Sequence, residues 1–159
     1  MTLTLPSQRV DRFDADIAHV LGGARQAGLT FAPEAGSQRL RDIVNKGLTD
    51  AELLRGIRTA MEHGYRRVKL YFMIGLPGET DDDVVGIATT CRSLQQQCSD
   101  LGRLELNLTI SNFTPKPHTP FQWHSVSTAE FRRRQELLRG ALRGPVSYTH
   151  LRAHETVLD

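Results

Sequence analysis

Apolar positions along the chain repeat with two spacings, one typical of strands and the other of helices. Residues 68–74 are mostly apolar, and residues 104–110 are apolar at every second position, as in a strand with one buried face. The intervening segments repeat apolar residues every three or four positions, which indicates helices. Strands are predicted at 3–5, 29–32, 68–74 and 104–110, and helices at 14–26, 37–47, 49–64, 80–98 and 127–142.

Hydroxyl residues mark the starts of the helices. Thr49 and Ser127 each precede a glutamate by three positions, the pattern of a capping box. Thr80 precedes Asp81, Asp82 and Asp83, whose negative charges interact favourably with the positive end of the helix dipole.

Alternating strands and helices predict right-handed βαβ units and an α/β fold with a parallel sheet. Two architectures satisfy this pattern: a partial (β/α) barrel and a small doubly wound sheet. Periodicity does not choose between them.

Charge is nearly balanced, with 20 Lys and Arg against 18 Asp and Glu in 159 residues. The excess of arginines near the end is typical of a solvated helix face, so no nucleic-acid partner is predicted. No apolar run has the length of a membrane span, and a cytoplasmic protein is expected.

Cys91 and Cys98 are predicted to lie on one helix. Seven residues of helix separate their Cα atoms by about 10 Å, too far for a disulfide. Two thiolates are also too few for a structural zinc or an iron–sulfur cluster.

A loop after the third strand has the features of a ligand site. Gly75 and Gly78 allow positive φ and a close approach of the backbone, and Pro77 stiffens the turn. Its open backbone groups could bind the edge of a flat heterocycle. The side chains that precede the loop, those of Phe72, Met73 and Ile74, would supply apolar surface beside such a ligand. The alternative is a plain connection between strand and helix, with Glu79 near the helix start.

Polar residues also follow the other strands. Glu34 could bind a ribose diol or an ammonium group, or be an exposed loop acid, and Ser37 could be only an N-cap. Arg9 suits a carboxylate. Lys116 and His118 could face the same pocket, although His118 fits an ordinary loop residue better.

The segment after Arg143 differs in character from the rest. It has no clear amphipathic pattern, and no partner is expected for it. It looks like translated sequencing-adapter DNA. We therefore expect a partial barrel over residues 1–143 and a non-native tail over 144–159.

Four segments together resemble the radical S-adenosylmethionine (radical SAM) proteins of the cobalamin-binding type. They are Leu5-Pro-Ser-Gln-Arg-Val-Asp11, Thr30-Phe-Ala-Pro-Glu-Ala-Gly-Ser-Gln-Arg-Leu40, Lys69-Leu-Tyr-Phe-Met-Ile-Gly-Leu-Pro-Gly-Glu-Thr80 and Thr114-Pro-Lys-Pro-His-Thr-Pro-Phe-Gln-Trp123. The last of these points to the cobalamin-binding branch.

The resemblance implies roughly the last four strands of a six-unit barrel. The loop expected to support the adenine of S-adenosylmethionine comprises Gly75, Leu76, Pro77, Gly78 and Glu79. Glu34 and Ser37 would lie near the ribose and methionine moiety, and Arg9 near the methionine carboxylate. Lys116 would face the same pocket.

Two family features are missing: the Cys-x-x-x-Cys-x-x-Cys motif that holds a 4Fe–4S cluster and the Gly-Gly-Glu segment. A cobalamin module would lie further upstream. The resemblance thus implies a fragment of an enzyme that cleaves S-adenosylmethionine to a 5′-deoxyadenosyl radical, inactive alone and with an unknown substrate. The alternatives are a cluster-free nucleotide-binding or partner-docking module, and an unrelated domain with a doubly wound strand order.

Overall fold

The computed structural model describes residues 29–44, 47–114, 127–143 and 150–157, of which Thr114 and 150–157 are described through the backbone alone. The strand predicted at 3–5 and the helix predicted at 14–26 lie outside the described residues.

Strands and helices alternate along the described chain. The elements are β1 (Leu29–Glu34), α1 (Gln38–Ile43), α2 (Asp50–Glu62), β2 (Arg67–Ile74), α3 (Asp81–Gln97), β3 (Glu105–Thr114), α4 (Thr128–Leu142) and β4 (His150–Val157). A 3-10 turn, Ser99–Leu101, follows α3. The strands form one parallel sheet in the order β1-β2-β3-β4.

The core lies on one face of this sheet. The β2 side chains on that face are at most 1% exposed: Val68, Leu70, Phe72 and Ile74. They share a hydrophobic cluster with residues from α2, α3 and α4, such as Ile57, Ile87 and Leu138. Lys69 and Tyr71, on the opposite face of β2, are exposed.

Sequential strand order, with α2, α3 and α4 packed on one face, is typical of a (β/α) barrel segment. A doubly wound sheet would reverse its strand order and carry helices on both faces. The predicted α/β class is confirmed, and the described residues are consistent with a partial barrel.

The predicted helix starts are confirmed. Each N-cap hydroxyl accepts a hydrogen bond from the backbone N–H three residues further on, at Ser37, Thr49, Thr80 and Ser127. At Thr80 the capping box is complete, because the Asp83 carboxylate accepts the Thr80 N–H in return.

Two strands are longer than predicted. β1 continues through Pro33 to Glu34, with a register shift against β2 between Phe31 and Glu34. β3 continues to Thr114, because residues 111 and 112 pair with Met73 and Ile74 of β2. Pairing with the neighbouring strand thus overrides the turn-like composition of these segments.

β4 lies within the segment for which no partner was expected. That expectation was wrong for the backbone of His150–Val157, which pairs in parallel with β3. The non-native origin of residues 144–159 stays a prediction.

Among the helices in the described part of the chain, none combines the length and apolar character required to cross a membrane.

The connection from β1 to α1 packs tightly on helix α3. A Cβ atom on Gly36 would lie 2.4 Å from the backbone nitrogen of Ile87. The Gly36 carbonyl also accepts a hydrogen bond from the Thr90 hydroxyl at 2.8 Å. Because backbone atoms of α3 cannot move aside locally, only glycine fits here.

Replacing Gly36 with alanine should therefore lower the free energy of unfolding by about 1–3 kcal/mol through overpacking. Gly140 of α4 is the matched control, since no atom lies within 4 Å of its Cβ position. Gly140→Ala should raise stability by about 0.5–1 kcal/mol through helix propensity. Urea unfolding measures both, and equal effects would contradict the predicted contact.

Candidate functional site

Two predicted site segments lie side by side at the carboxyl edge of the sheet. β1 and β2 are parallel neighbours, with Glu34 paired to Phe72, so the ends of both strands meet at one edge. Glu34 ends β1, and Gly75 directly follows β2. In parallel α/β proteins this edge is where ligands bind.

Glu34 has an unusual backbone conformation. Its φ angle is +67°, and it is the only non-glycine residue with positive φ in the described part of the chain. The Ala35 N–H donates to the Pro33 carbonyl at 2.8 Å, which closes a three-residue turn around Glu34. Turns of this kind with positive φ are rare and strained. Such strain concentrates at functional sites, and the sequence pattern gave no sign of it.

A buried arginine supports this turn. Arg41 is fully buried and donates to the Ala35 carbonyl at 3.3 Å. Its guanidinium also pairs with Asp50, while its Nε atom has no hydrogen-bond partner. A guanidinium removed from water is tolerated only with such partners. Arg41 therefore fixes the backbone next to Glu34, a role that sequence reasoning missed.

The loop after β2 has the predicted glycine conformations. Gly75 and Gly78 have φ angles of +81° and +77°. The Glu79 N–H donates to the Leu76 carbonyl at 3.1 Å, which closes the turn. At Gly75 there is a second requirement for glycine, because a Cβ atom would lie 2.3 Å from the Phe131 ring of α4.

The Glu79 carboxylate is directed into the protein. Its side chain is 2% exposed. Its Oε1 atom accepts from the Gly75 N–H at 2.8 Å and from Arg134 Nη1 at 2.7 Å. Arg134 Nε donates in turn to Glu130 at 3.1 Å. Glu79 thus joins the loop to α4, and its predicted contact with a cofactor would be indirect.

Burial is the main cause that raises the pKa of Glu79, to about 7, against the opposing effects of the Gly75 N–H and Arg134. A carboxyl with a pKa raised on folding binds protons more tightly in the folded state. Its contribution to stability is therefore largest at low pH and is lost as the pH rises from about 4.5 to 7.

The apolar side chains predicted beside the loop are enclosed instead. Phe72 and Ile74 belong to the main core, and Leu76 belongs to a smaller cluster with Met73 and Phe113. All three of Phe72, Ile74 and Leu76 are at most 1% exposed. The expectation that Phe72 and Ile74 supply apolar surface to a ligand is corrected accordingly, and contacts there would come from the backbone. Pro77 is half-buried and Gly78 is exposed.

Ser37 is the N-cap of α1 and also contacts helix α3. Its hydroxyl accepts the Leu40 N–H at 3.2 Å and donates to Asp83 Oδ1 at 2.6 Å. Arg39 donates to the Gly78 carbonyl at 2.8 Å. Helix α1 and its N-cap therefore contact both the loop after β2 and the start of α3. Sequence reasoning missed Arg39 and treated Asp83 only as a helix-dipole charge.

Arg9, Lys116 and His118 lie outside the described residues. Their predicted positions near this edge stay predictions.

Together these features define the class of the protein. It has a parallel α/β sheet, and ordered loops follow β1 and β2 at the edge where such proteins bind ligands. The family model described as "Radical SAM superfamily" matches residues 1–91, more than half of the chain. The chain therefore belongs to the radical SAM superfamily. The cobalamin-binding subtype is a finer assignment than this match gives.

One curated relative is the uncharacterized protein MJ0966 of Methanocaldococcus jannaschii. It is 33% identical over 116 residues, which are 73% of this chain and 24% of the relative. The chain thus spans about a quarter of the length of this relative.

Radical SAM domains use S-adenosylmethionine and usually a 4Fe–4S cluster. The cysteines of this chain do not fit such a cluster. Both Cys91 and Cys98 are buried, and burial raises the pKa of Cys91 to about 12, whereas the thiolate is the form that binds iron. Over the described ranges no three His, Cys, Asp or Glu side chains are grouped to hold a metal.

The raised pKa of Glu79 predicts a specific pH dependence. In Glu79→Gln the amide can still accept from Gly75, but the titration is removed. Relative to this variant, the wild type should lose about 3 kcal/mol of unfolding free energy between pH 4.5 and 7, at about 1.4 kcal/mol per pKa unit. Urea unfolding across this range measures the difference, and parallel profiles would contradict it.

Proposed function

We propose that this chain forms part of the S-adenosylmethionine site of a radical SAM enzyme. The ligands of the 4Fe–4S cluster would come from residues that this chain does not contain. Reductive cleavage of S-adenosylmethionine to a 5′-deoxyadenosyl radical would then be an activity of the longer protein, and this chain would be inactive alone.

The observation that carries this proposal is the arrangement of two loops at adjacent strand ends. The strained turn at Glu34 and the glycine loop from Gly75 to Glu79 lie at the same edge, and helix α1, which follows the turn, is linked to the glycine loop by the hydrogen bond from Arg39 to Gly78. Family membership supports S-adenosylmethionine as the ligand of such an edge.

We assign the ligand contacts by chemistry. Exposed backbone at Gly78, beside the half-buried Pro77, suits the edge of the adenine, and the Glu34 carboxylate suits the ribose diol or the methionine ammonium group. Arg9 and Lys116 would add positive charge near the methionine carboxylate. Ser37 and Glu79 would act by holding the backbone of their loops.

Two further features belong to this proposal. The Pro-Lys-Pro-His-Thr-Pro-Phe-Gln-Trp segment at 115–123 supports the cobalamin-binding branch, so the longer enzyme would also carry cobalamin. The unpaired thiols of Cys91 and Cys98 support a reducing, cytoplasmic compartment.

Isothermal titration of this chain with S-adenosylmethionine tests the site. Glu34→Gln should weaken binding about tenfold, because a charged hydrogen bond is worth about 1.5–3 kcal/mol. Glu105→Gln is the matched control, since Glu105 begins β3 at the opposite edge and pairs with Arg67 at 2.9 Å. Absence of binding by the wild type, or equal losses in both variants, would overturn the proposal.

Anaerobic reconstitution of the chain with iron and sulfide tests the cluster assignment. We expect no stoichiometric cluster and no iron–sulfur absorption, because two buried thiols cannot replace the cysteines that a cluster needs. A stable cluster would show that this chain supplies the ligands itself. Mössbauer spectroscopy of an iron-57 sample would then identify the cluster type.

A further inference from the structure

The Asp83 side chain accepts four hydrogen bonds from residues that adjoin the Glu34 turn and the Gly75–Glu79 loop. It is 4% exposed and lies in the first turn of α3. Its Oδ1 atom accepts from the Ser37 hydroxyl at 2.6 Å. Its Oδ2 atom accepts from the Thr80 N–H at 2.8 Å and the Thr80 hydroxyl at 2.9 Å. Arg39 also donates to Oδ2.

Arg39 links Asp83 to the glycine loop. The same Nη2 atom that pairs with Asp83 also donates to the Gly78 carbonyl at 2.8 Å. The Arg39 side chain is 52% exposed, whereas Asp83 is enclosed. Helix α1, the glycine loop and the start of α3 are thus joined through one carboxylate and one guanidinium.

The Asp83 carboxylate is committed mainly to protein groups. Of the about four acceptor positions of a carboxylate, one on Oδ1 accepts from Ser37, and those on Oδ2 are shared by donors from Thr80 and Arg39. Burial by itself would raise the pKa of Asp83, but the hydrogen bonds from Ser37, Thr80 and Arg39 outweigh it and lower the pKa. Asp83 is therefore charged at neutral pH and acts on other protein groups.

We propose that Asp83, together with Arg39, is a positioning residue that sets the spacing between the Glu34 turn and the Gly75–Glu79 loop. This inference rests on the proposed function, because that spacing matters only if both loops contact one ligand. Loss of the carboxylate would let the two loops separate while the sheet beneath them stays intact.

The substitution Asp83→Asn tests this inference. It removes the charge and replaces one of the two acceptor oxygens by an NH2 group, so the remaining oxygen can accept from Ser37 or from Thr80 and Arg39, but not from both sets. Affinity for S-adenosylmethionine should fall about tenfold or more. Asp82→Asn is the matched control, because Asp82 is exposed in the same helical turn and the change removes the same charge. Its affinity should equal that of the wild type.

Hydrogen exchange supplies a readout that is independent of the ligand. Asp83→Asn should speed exchange at the amides of Ala35 and Glu79, one in each loop. Asp82→Asn, at an exposed position in the same helical turn, should change neither amide. If Asp83→Asn does not fold, Arg39→Ala is measured in its place. Arg55→Ala is its control, because Arg55 is exposed on α2.

The outcomes separate the two proposals. Normal binding and unchanged loop exchange in Asp83→Asn or Arg39→Ala would overturn the positioning role and leave the proposed function standing. Failure of the wild type to bind S-adenosylmethionine would overturn the proposed function, and with it the reason for the spacing. Weaker binding with faster exchange in both loops, absent from the controls, would support the inference.

Discussion

The carboxyl edge of the sheet depends on one buried interaction, the contact of the Glu79 carboxylate with the Gly75 N–H and Arg134. It links the end of β2 to a helix that follows β3 in the chain. The Phe131 ring against Gly75 reinforces the same link. The conformation of the glycine loop is therefore fixed by α4 as much as by its own sequence. Removing the Glu79 carboxylate would leave the mostly enclosed Arg134 guanidinium without this partner, which is costly.

Local rules explain what the sequence could predict. Helix starts at Ser37, Thr49, Thr80 and Ser127 follow from hydroxyls that cap their own first turn, so no tertiary information is needed. The positive φ of Gly75 follows from the chemistry of its turn. The strand order did require the structure, because periodicity is the same for a barrel segment and a doubly wound sheet.

Apart from the local strained turn at Glu34, the parts that could not be predicted arise mainly from contacts between residues distant in sequence. The direction of the Glu79 carboxylate depends on Arg134, which is 55 residues away. The link from Ser37 to Asp83 spans 46 residues. Local pattern likewise gave no reason for β3 to continue to Thr114 or for β4 to form, since a ladder with a neighbouring strand decides both.

These distant contacts change how ligand recognition at this edge should be understood. The side chains that sequence reasoning would place against a ligand are partly committed to the protein itself: Glu79 to Gly75 and Arg134, and Ser37 to Leu40 and Asp83. Because these polar groups hydrogen-bond to one another, the backbone is already ordered before a ligand binds. Binding would then cost less conformational entropy. A ligand would then meet preformed backbone at Gly78 and the strained turn at Glu34. Recognition would thus rest on the shape that the buried network imposes, and a substitution in that network would weaken binding without touching the ligand.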